Sequence, residues 1–379
     1  MLPAPKSLRP SLADVMTACL SAISGEDNRL GLPQASKTVV LLVDGLGAAA
    51  LKARAGHART LMSYLSGSSV IDSGFPTTTA AALATLTTGT APGQHGMVGY
   101  TVLDPANDRV IKQLSGWDDK IDPFAWQPMP TVFERATALG HSAVVIGPER
   151  YRDSGFSKAV LRGAEYLGES SIGERLQRAA EWLREPAATG IAYVYVPELD
   201  VAGHATGAES VEWTNWLEIL DAAVRELEAQ LGPDDGLVIT ADHGVVDIAE
   251  RNHILFDTEA PLIDGVRFVA GEPRCLQLHF APDASERVRA ATTAAWRDAE
   301  GERSWIATRD EAIAAGWFGE VRPEVEPRIG DLLVAARKGI AYYDSRTLKP
   351  GHAMVGHHGS FSPAEVQVPL LRLGAFARR

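Results

Sequence analysis

Cysteine is nearly absent from this 379-residue chain: Cys19 and Cys275 stand far apart, and no CxxC pair occurs. A thiolate zinc site and a disulfide framework are set aside on that count. Basic residues are in deficit, 36 against 48 acidic, for a net charge of −12. Such a chain is poorly suited to gripping the backbone of long nucleic acid. A small phosphate-bearing substrate stays open, because bound metal ions can supply positive charge locally. No apolar run approaches the length of a membrane span. The first residues, "MLPAPKSLRPSLADV", lack an apolar h-region and a signal-cleavage pattern. The expectation is a soluble cytoplasmic protein without membrane contact.

Several short apolar runs are bounded by turn signals and separated by amphipathic stretches. "KTVVLLVDG" (37–45), "SAVVIGPE" (142–149), "GIAYVYVPELD" (190–200), "DGLVITADHG" (235–244) and "EVQVPLLRLG" (365–374) read as strands. Runs such as "SIGERLQRAAEWLREPA" and "VEWTNWLEILDAAVRELEAQLG" between them read as helices. This alternation predicts an α/β fold with a mainly parallel sheet covered by helices on both faces. Residues 255–345 break the pattern with strand, helix, strand, which predicts a smaller α+β insertion or lid within a single catalytic domain spanning 1–379.

Three of the strands end alike. Asp44 follows "TVVLLV", Asp200 follows "AYVYVPEL" with His204 four residues on, and Asp242-His243 follow "GLVITA". In an open α/β sheet, ligands bind beyond the carboxyl ends of the strands. Each piece has a plain structural reading: a turn or cap residue for Asp44, an exposed turn for Asp242-His243, a solvated loop for 200–204. Gathered on one rim, however, unpaired carboxylates repel, and divalent cations relieve the clash. Histidine and carboxylate in this proportion suit zinc. Near the C-terminus "GHHGS" adds His357 and His358.

"FPTTTAAALATLTTG" (75–89) places three hydroxyls ahead of a run of helix formers. By itself it reads as a helix N-cap. Beside a metal rim, one of the three becomes a candidate nucleophile. Metal coordination lowers the pKa of a bound oxygen by many units, and a helix N-terminus favours a bound anion.

With these residues in view, the chain resembles the alkaline phosphatase superfamily, and most of all its type I phosphodiesterase/nucleotide pyrophosphatase branch. The matching stretches are "VDGLG" (43–47), "PTTTAAALATLTTGTAPGQHGMVGY" (76–100), "PELDVAGHATG" (197–207), "TADHG" (240–244) and "GHHGS" (356–360). The resemblance implies an alkaline phosphatase-like fold and two zinc ions, other divalent cations remaining open. It implies Thr79 as nucleophile: of the three threonines, only Thr79 lies three residues after Pro76 and ten before Gly89. Thr77 and Thr78 are left to capping or packing. It implies Asp44, Thr79, Asp242 and His243 around one zinc, and Asp200, His204 and His358 around the other. His352 is the weaker alternative to His358, and His95 is a structural loop residue. Tyr100 stands where the branch commonly has an asparagine that contacts a phosphoryl oxygen, so it is the candidate substrate-binding residue. The implied activity is two-step hydrolysis of a small phosphate ester, nucleotides included, through a covalent phospho-threonine. The departure at Tyr100 keeps phosphomonoester and phosphonoacetate-type C–P hydrolysis in play, with a catalytically silent metal-binding protein as the remote alternative. Trp117, Arg274, Tyr342 and Tyr343 are guesses for contacts to the substrate, with core or surface roles equally open. His57, His141, His253 and His279 are expected on the surface or satisfied in the core.

Overall fold

Residue by residue, the buried β-branched runs form the centre of the molecule. The structure is a computed structural model describing residues 2–4, 9–67, 69–186, 188–346 and 354–377. Its main sheet has seven strands: β1 Lys37–Val43, β2 Val70–Asp72, β3 Ser142–Gly147, β4 Glu165–Gly168, β5 Gly190–Val196, β6 Asp235–Thr240 and β7 Gln367–Gly374. Their spatial order is β2-β7-β6-β1-β5-β3-β4. The strands from β6 to β4 are parallel, while at one edge β7 pairs antiparallel with β6 and β2 pairs antiparallel with β7. Every residue of β1 is buried, as a central parallel strand covered on both faces requires.

Two helix groups provide the cover. On one side α1 Ala13–Ser24 packs with α2 Thr79–Thr88 and α3 Val132–Ala138, and Phe133 of α3 lies edge-on to Tyr193 of β5. On the other, α4 Ile172–Leu183 packs with α6 Val211–Glu228, and Trp182 of α4 sits against Gly190 of β5. Residues 190 and 193 point to opposite faces of the strand, which separates the two layers. The short α5 Glu198–Thr206 leads from β5 into α6.

A second sheet of six antiparallel strands has its own apolar core, which includes Trp296, Leu278 and Val334. Residues 255–345 supply four of its strands, Val266–Glu272, Cys275–Phe280, Ser304–Thr308 and Leu332–Ala336. The other two, Thr101–Asp104 and Arg109–Lys112, come from outside that range as a hairpin. Arg274, in the turn between Glu272 and Cys275, forms a buried ion pair at 2.7 Å with Glu365, whose Oε1 also accepts from the Ser360 backbone. That pair joins the second sheet to the loop carrying His357 and His358.

Candidate metal centre

β6, β1 and β5 are neighbours, so their carboxyl ends deliver Asp242, Asp44 and Asp200 side by side to one rim. Asp200 and His204 stand one turn apart on α5 and therefore share a helix face. His358 comes from the loop before β7, held by the Arg274–Glu365 pair.

The structure gathers these side chains into two groups, Asp44–Asp242–His243 and Asp200–His204–His358, and within each one ligand atom per residue lies within 4.8 Å of the others. His243 Nε2 is 3.3 Å from Asp242 Oδ2 and 3.5 Å from Asp44 Oδ1. His204 Nε2 is 3.3 Å from Asp200 Oδ2, and His358 Nε2 is 3.9 Å from Asp200 Oδ1. The His243 and His358 rings stack at 3.7 Å, which sets the groups beside each other.

The hydrogen bonds leave the inward-facing atoms unused. Tyr195 donates to Asp44 Oδ2 at 2.5 Å, and the backbone N–H groups of Gly45 and His243 donate to Asp242 Oδ1. Asp44 Oδ1, Asp242 Oδ2 and Asp200 Oδ1 are buried with no partner among the described residues. Unsatisfied buried carboxylate oxygens are costly unless something positive meets them. The histidines are aimed likewise. His204 Nδ1 donates to the Gly356 carbonyl at 2.9 Å and His358 Nδ1 to the Thr77 carbonyl at 2.7 Å, each leaving Nε2 toward the group. His243 Nδ1 has no such partner among the described residues. This donor set, nitrogen and carboxylate oxygen, fits a divalent cation at each group.

The charge balance agrees. Burial, with Asp242 and Asp200 nearby, pushes Asp44 well above the ordinary carboxylate range, and burial raises Asp242 too. At the second group the two histidines shift in opposite directions. Burial works against protonation of His204, but the hydrogen bond and charge of Asp200 raise it to about 9. Burial and the charge of His243 push His358 well below its usual value. His204 Nε2–H can then donate to His358 Nε2, 3.2 Å away.

Thr79 opens α2, its hydroxyl 3.2 Å from His243 Nε2. It faces a cleft of about 920 Å³, counted out to open solvent, lined also by Tyr100, Tyr195, Asp200, Glu272 and His358. No Lys or Arg lines this cleft among the described residues. An anion entering it meets the carboxylates of Asp44, Asp200 and Glu272, and the His204 ring is already paired with Asp200, so added cations would make it welcome.

A model of the type I phosphodiesterase/nucleotide pyrophosphatase family matches residues 38–361. The chain belongs to this family. An uncharacterised pyrophosphatase/phosphodiesterase of Schizosaccharomyces pombe is 24% identical over 48% of this chain and 39% of its own length. A phosphopentomutase of Shewanella putrefaciens is 28% identical over 39% of this chain and 35% of its own. The chain thus spans well under half of these curated relatives. Among solved structures, murine ectonucleotide pyrophosphatase/phosphodiesterase 5 superposes with a TM-score of 0.69 at 17% identity, covering 89% of this chain and 88% of that one. Phosphonoacetate hydrolase of Sinorhizobium meliloti, in complex with phosphonoacetate, gives 0.69 at 18%, covering 90% and 91%. Both likenesses are of fold.

In this phosphodiesterase-family chain the other singled-out residues have plain places. Thr78 is the N-cap of α2 but makes no side-chain capping bond. The Thr77 hydroxyl donates to the Ser360 carbonyl and accepts from the Gly359 N–H, so it pins the His358 loop rather than capping. His95 is buried between Thr85 and the Met97 N–H. Arg274 is consumed by Glu365, and the Tyr342 hydroxyl bonds Ser304 and Glu300 inside the second core, so neither reaches the cleft. Tyr343 bonds His357 at 2.7 Å. Trp117 donates to the Gln113 carbonyl and packs edge-on to Trp126, partly buried against the main core. His352 lies outside the described residues.

Two cleft residues escaped the sequence reading. Tyr195 looked like one more aromatic in a "YVYV" strand. Glu272 belongs to no motif, yet the second sheet brings it into the cleft, its Oε2 3.4 Å from His358 Nδ1 and its Oε1 unpartnered. Burial, with Glu365 and Asp200 adding, holds its carboxyl well above the ordinary range.

Proposed function

We infer that the chain is a metal-dependent phosphodiesterase of the nucleotide pyrophosphatase type, with Thr79 as nucleophile. The observation that carries this is the pairing of two carboxylate–histidine groups, their inward oxygens unpartnered, with a threonine hydroxyl at the first of them. Two divalent cations, zinc by ligand chemistry, would be held by Asp44, Asp242, His243 and Thr79, and by Asp200, His204 and His358. They would supply the positive charge that favours a threonine alkoxide and offsets charge on the phosphoryl and leaving oxygens.

Thr79 Oγ gives up its proton to water and bonds phosphorus as the bond to the leaving oxygen breaks, and the departing alkoxide takes up a proton. The phosphoryl group, still carrying its other ester group, remains bonded to Thr79. Water then bonds phosphorus, the bond to Thr79 Oγ breaks, and Thr79 recovers its proton. The N-terminal turn of α2 would offer its N–H groups to the phosphoryl oxygens, and Tyr100, which also lines the cleft, would offer one phenolic donor. An inactive threonine-to-alanine form of the murine structural neighbour is known in complex with AMP, which fits this reading.

A phosphonate reading has the phosphonoacetate-bound neighbour behind it. Against it, a second anionic group on the substrate finds no Lys or Arg among the described cleft residues. The test is metal analysis followed by a panel of bis-p-nitrophenyl phosphate, p-nitrophenyl phosphate, nucleoside triphosphate and phosphonoacetate. Thr79→Ala is expected to keep its metal and lose turnover by at least about a thousandfold, the scale of losing a nucleophile. Near wild-type rates in Thr79→Ala would refute the assignment.

A further inference from the structure

Two buried charges take no part in the chemistry derived above. The side chains of Arg274 and Glu365 are 1% and 0% exposed, and neither lines the cleft. Each N–H of the Arg274 guanidinium has an acceptor. Nε and Nη2 donate to Glu365 Oε1 and Oε2 at 3.1 and 2.7 Å. Nη1 donates to the Lys338 and Ile340 carbonyls, and Nη2 also reaches the Ala336 carbonyl at 3.4 Å. The backbone beside it is tied to the same stretch, since the Arg274 carbonyl accepts from the Ala336 N–H and the Pro273 carbonyl from the Tyr342 N–H. Arg274 is therefore a fixed part of the second sheet.

Glu365 stands behind both groups of candidate ligands. Its Oε1 accepts the Ser360 N–H at 3.0 Å, two residues beyond His358. Its backbone carbonyl accepts the Gly244 N–H at 2.8 Å, one residue beyond His243. His243 and His358 are the two rings that stack at 3.7 Å. The two links differ in kind. The link to Gly244 runs backbone to backbone and does not depend on the side chain at 365. The link to Ser360 exists only through the carboxylate, which Arg274 aims. Thr77 grips the same peptide from the α2 side, through the Gly359 N–H and the Ser360 carbonyl.

We propose that Arg274 and Glu365 are positioning residues for the second metal group, holding the His358 loop at a fixed spacing from His243 before any cation binds. This rests on the metal reading above. Stability alone does not account for the pair, because a buried ion pair often contributes no more than well-packed apolar residues of like volume. Its distinct effect is geometric. The side chain of Glu365 fixes the loop of the second group, while its backbone fixes the turn of the first, so one residue relates the two. Partners one step behind a ligand of this kind are worth about 10- to 100-fold in metal affinity. The second sheet is then more than a wall of the cleft, since it completes the frame on which His358 is held.

Two measurements test it. The first is amide hydrogen exchange on the unaltered full chain after metal is stripped. The Ser360 amide is expected to be as well protected as the Gly244 amide, and zinc is expected to change it little. Fast exchange at Ser360 without metal, with protection appearing only when zinc is added, would show that the cation orders the loop and would overturn the proposal. The second uses Arg274→Met together with Glu365→Leu, because removing one member would leave the other charge bare. Cobalt is titrated into the stripped double variant and followed by visible absorption and calorimetry. One ion is expected to bind with wild-type affinity and the other about 10- to 100-fold more weakly. Two ions at wild-type affinity would overturn the proposal, and so would equal losses at both groups, which mark a pair that serves the fold alone. If the double variant gives no cooperative melt, the exchange result decides. Unaltered protein that takes up no cobalt counts against the metal reading, and exchange at Ser360 still reads whether the pair holds the loop.

Discussion

A carboxylate has two oxygens, and at Asp44 they are divided between two tasks. Oδ2 accepts the Tyr195 hydroxyl, while Oδ1 is left bare toward His243. Without that hydrogen bond the carboxylate can rotate and lose its aim. Outer partners of this kind are worth about 10- to 100-fold in metal affinity. Tyr195→Phe keeps the ring and its packing and is expected to weaken metal binding by about that factor, read by competition with a chromophoric chelator. Affinity equal to wild type would show that the bond orients nothing. Asp44 was legible in the sequence only jointly with Asp200 and Asp242-His243, because alone an aspartate after a strand reads as a turn or cap residue. Tyr195 was not, since its role exists only through sheet pairing. Register sets Leu42 beside Tyr195 and Val43 beside Val196, which places the phenol against the residue after β1.

At the level of elements, the turns after β1 and β6 come together through two glycines. A methyl group on Gly244 would lie 2.0 Å from the Ala364 carbonyl oxygen and 2.8 Å from Gly47 Cα. Both obstacles are backbone, so the turns themselves would have to part. Gly244→Ala is expected to cost roughly 1–3 kcal/mol of stability, the usual range for overpacking. Because His243 precedes Gly244 and Asp44 precedes the other turn, metal content should fall toward one ion per chain. Denaturant unfolding and elemental analysis check the two halves of this prediction, and a variant of undiminished stability with two ions would sink it. The glycines are visible in "VDGLG" and "TADHG", but a sequence does not show that one lies against the other. The five long runs were legible as strands because continuous β-branched burial is a strong local signal. The hairpin Thr101–Lys112 was not, for its strands are four residues each and its sheet partner, Gly271, lies far along the chain. Glu272 was lost with it, since its place in the cleft depends on how the second sheet leans on the first.

For the whole molecule, the buried acids make the metal-stripped protein a different thermodynamic object from the loaded one. Asp44 and Asp242 titrate higher when folded than unfolded, so the stability they lend as neutral acids is complete at low pH and lost as pH climbs through their folded values. His204 has the same sign. Raised to about 9, it contributes fully below its unfolded value of about 6.5 and loses that contribution as pH rises through about 9. The depressed His358 opposes this only below its unfolded value, where neutral rings are favoured, and so changes nothing between pH 7 and pH 10. In that window the chelated protein should lose stability steadily. Bound cations meet the same carboxylates without titrating, and they stabilise the folded state by mass action in addition. The gap in melting temperature between zinc-loaded and chelator-treated protein is therefore expected to widen from pH 7 to pH 10, by on the order of a few degrees for a chain of this size. Differential scanning fluorimetry at matched ionic strength measures it. A gap that stays constant or narrows across those values would mean that protons and cations are not competing for one set of buried oxygens, and the two groups would lose their claim to be metal sites.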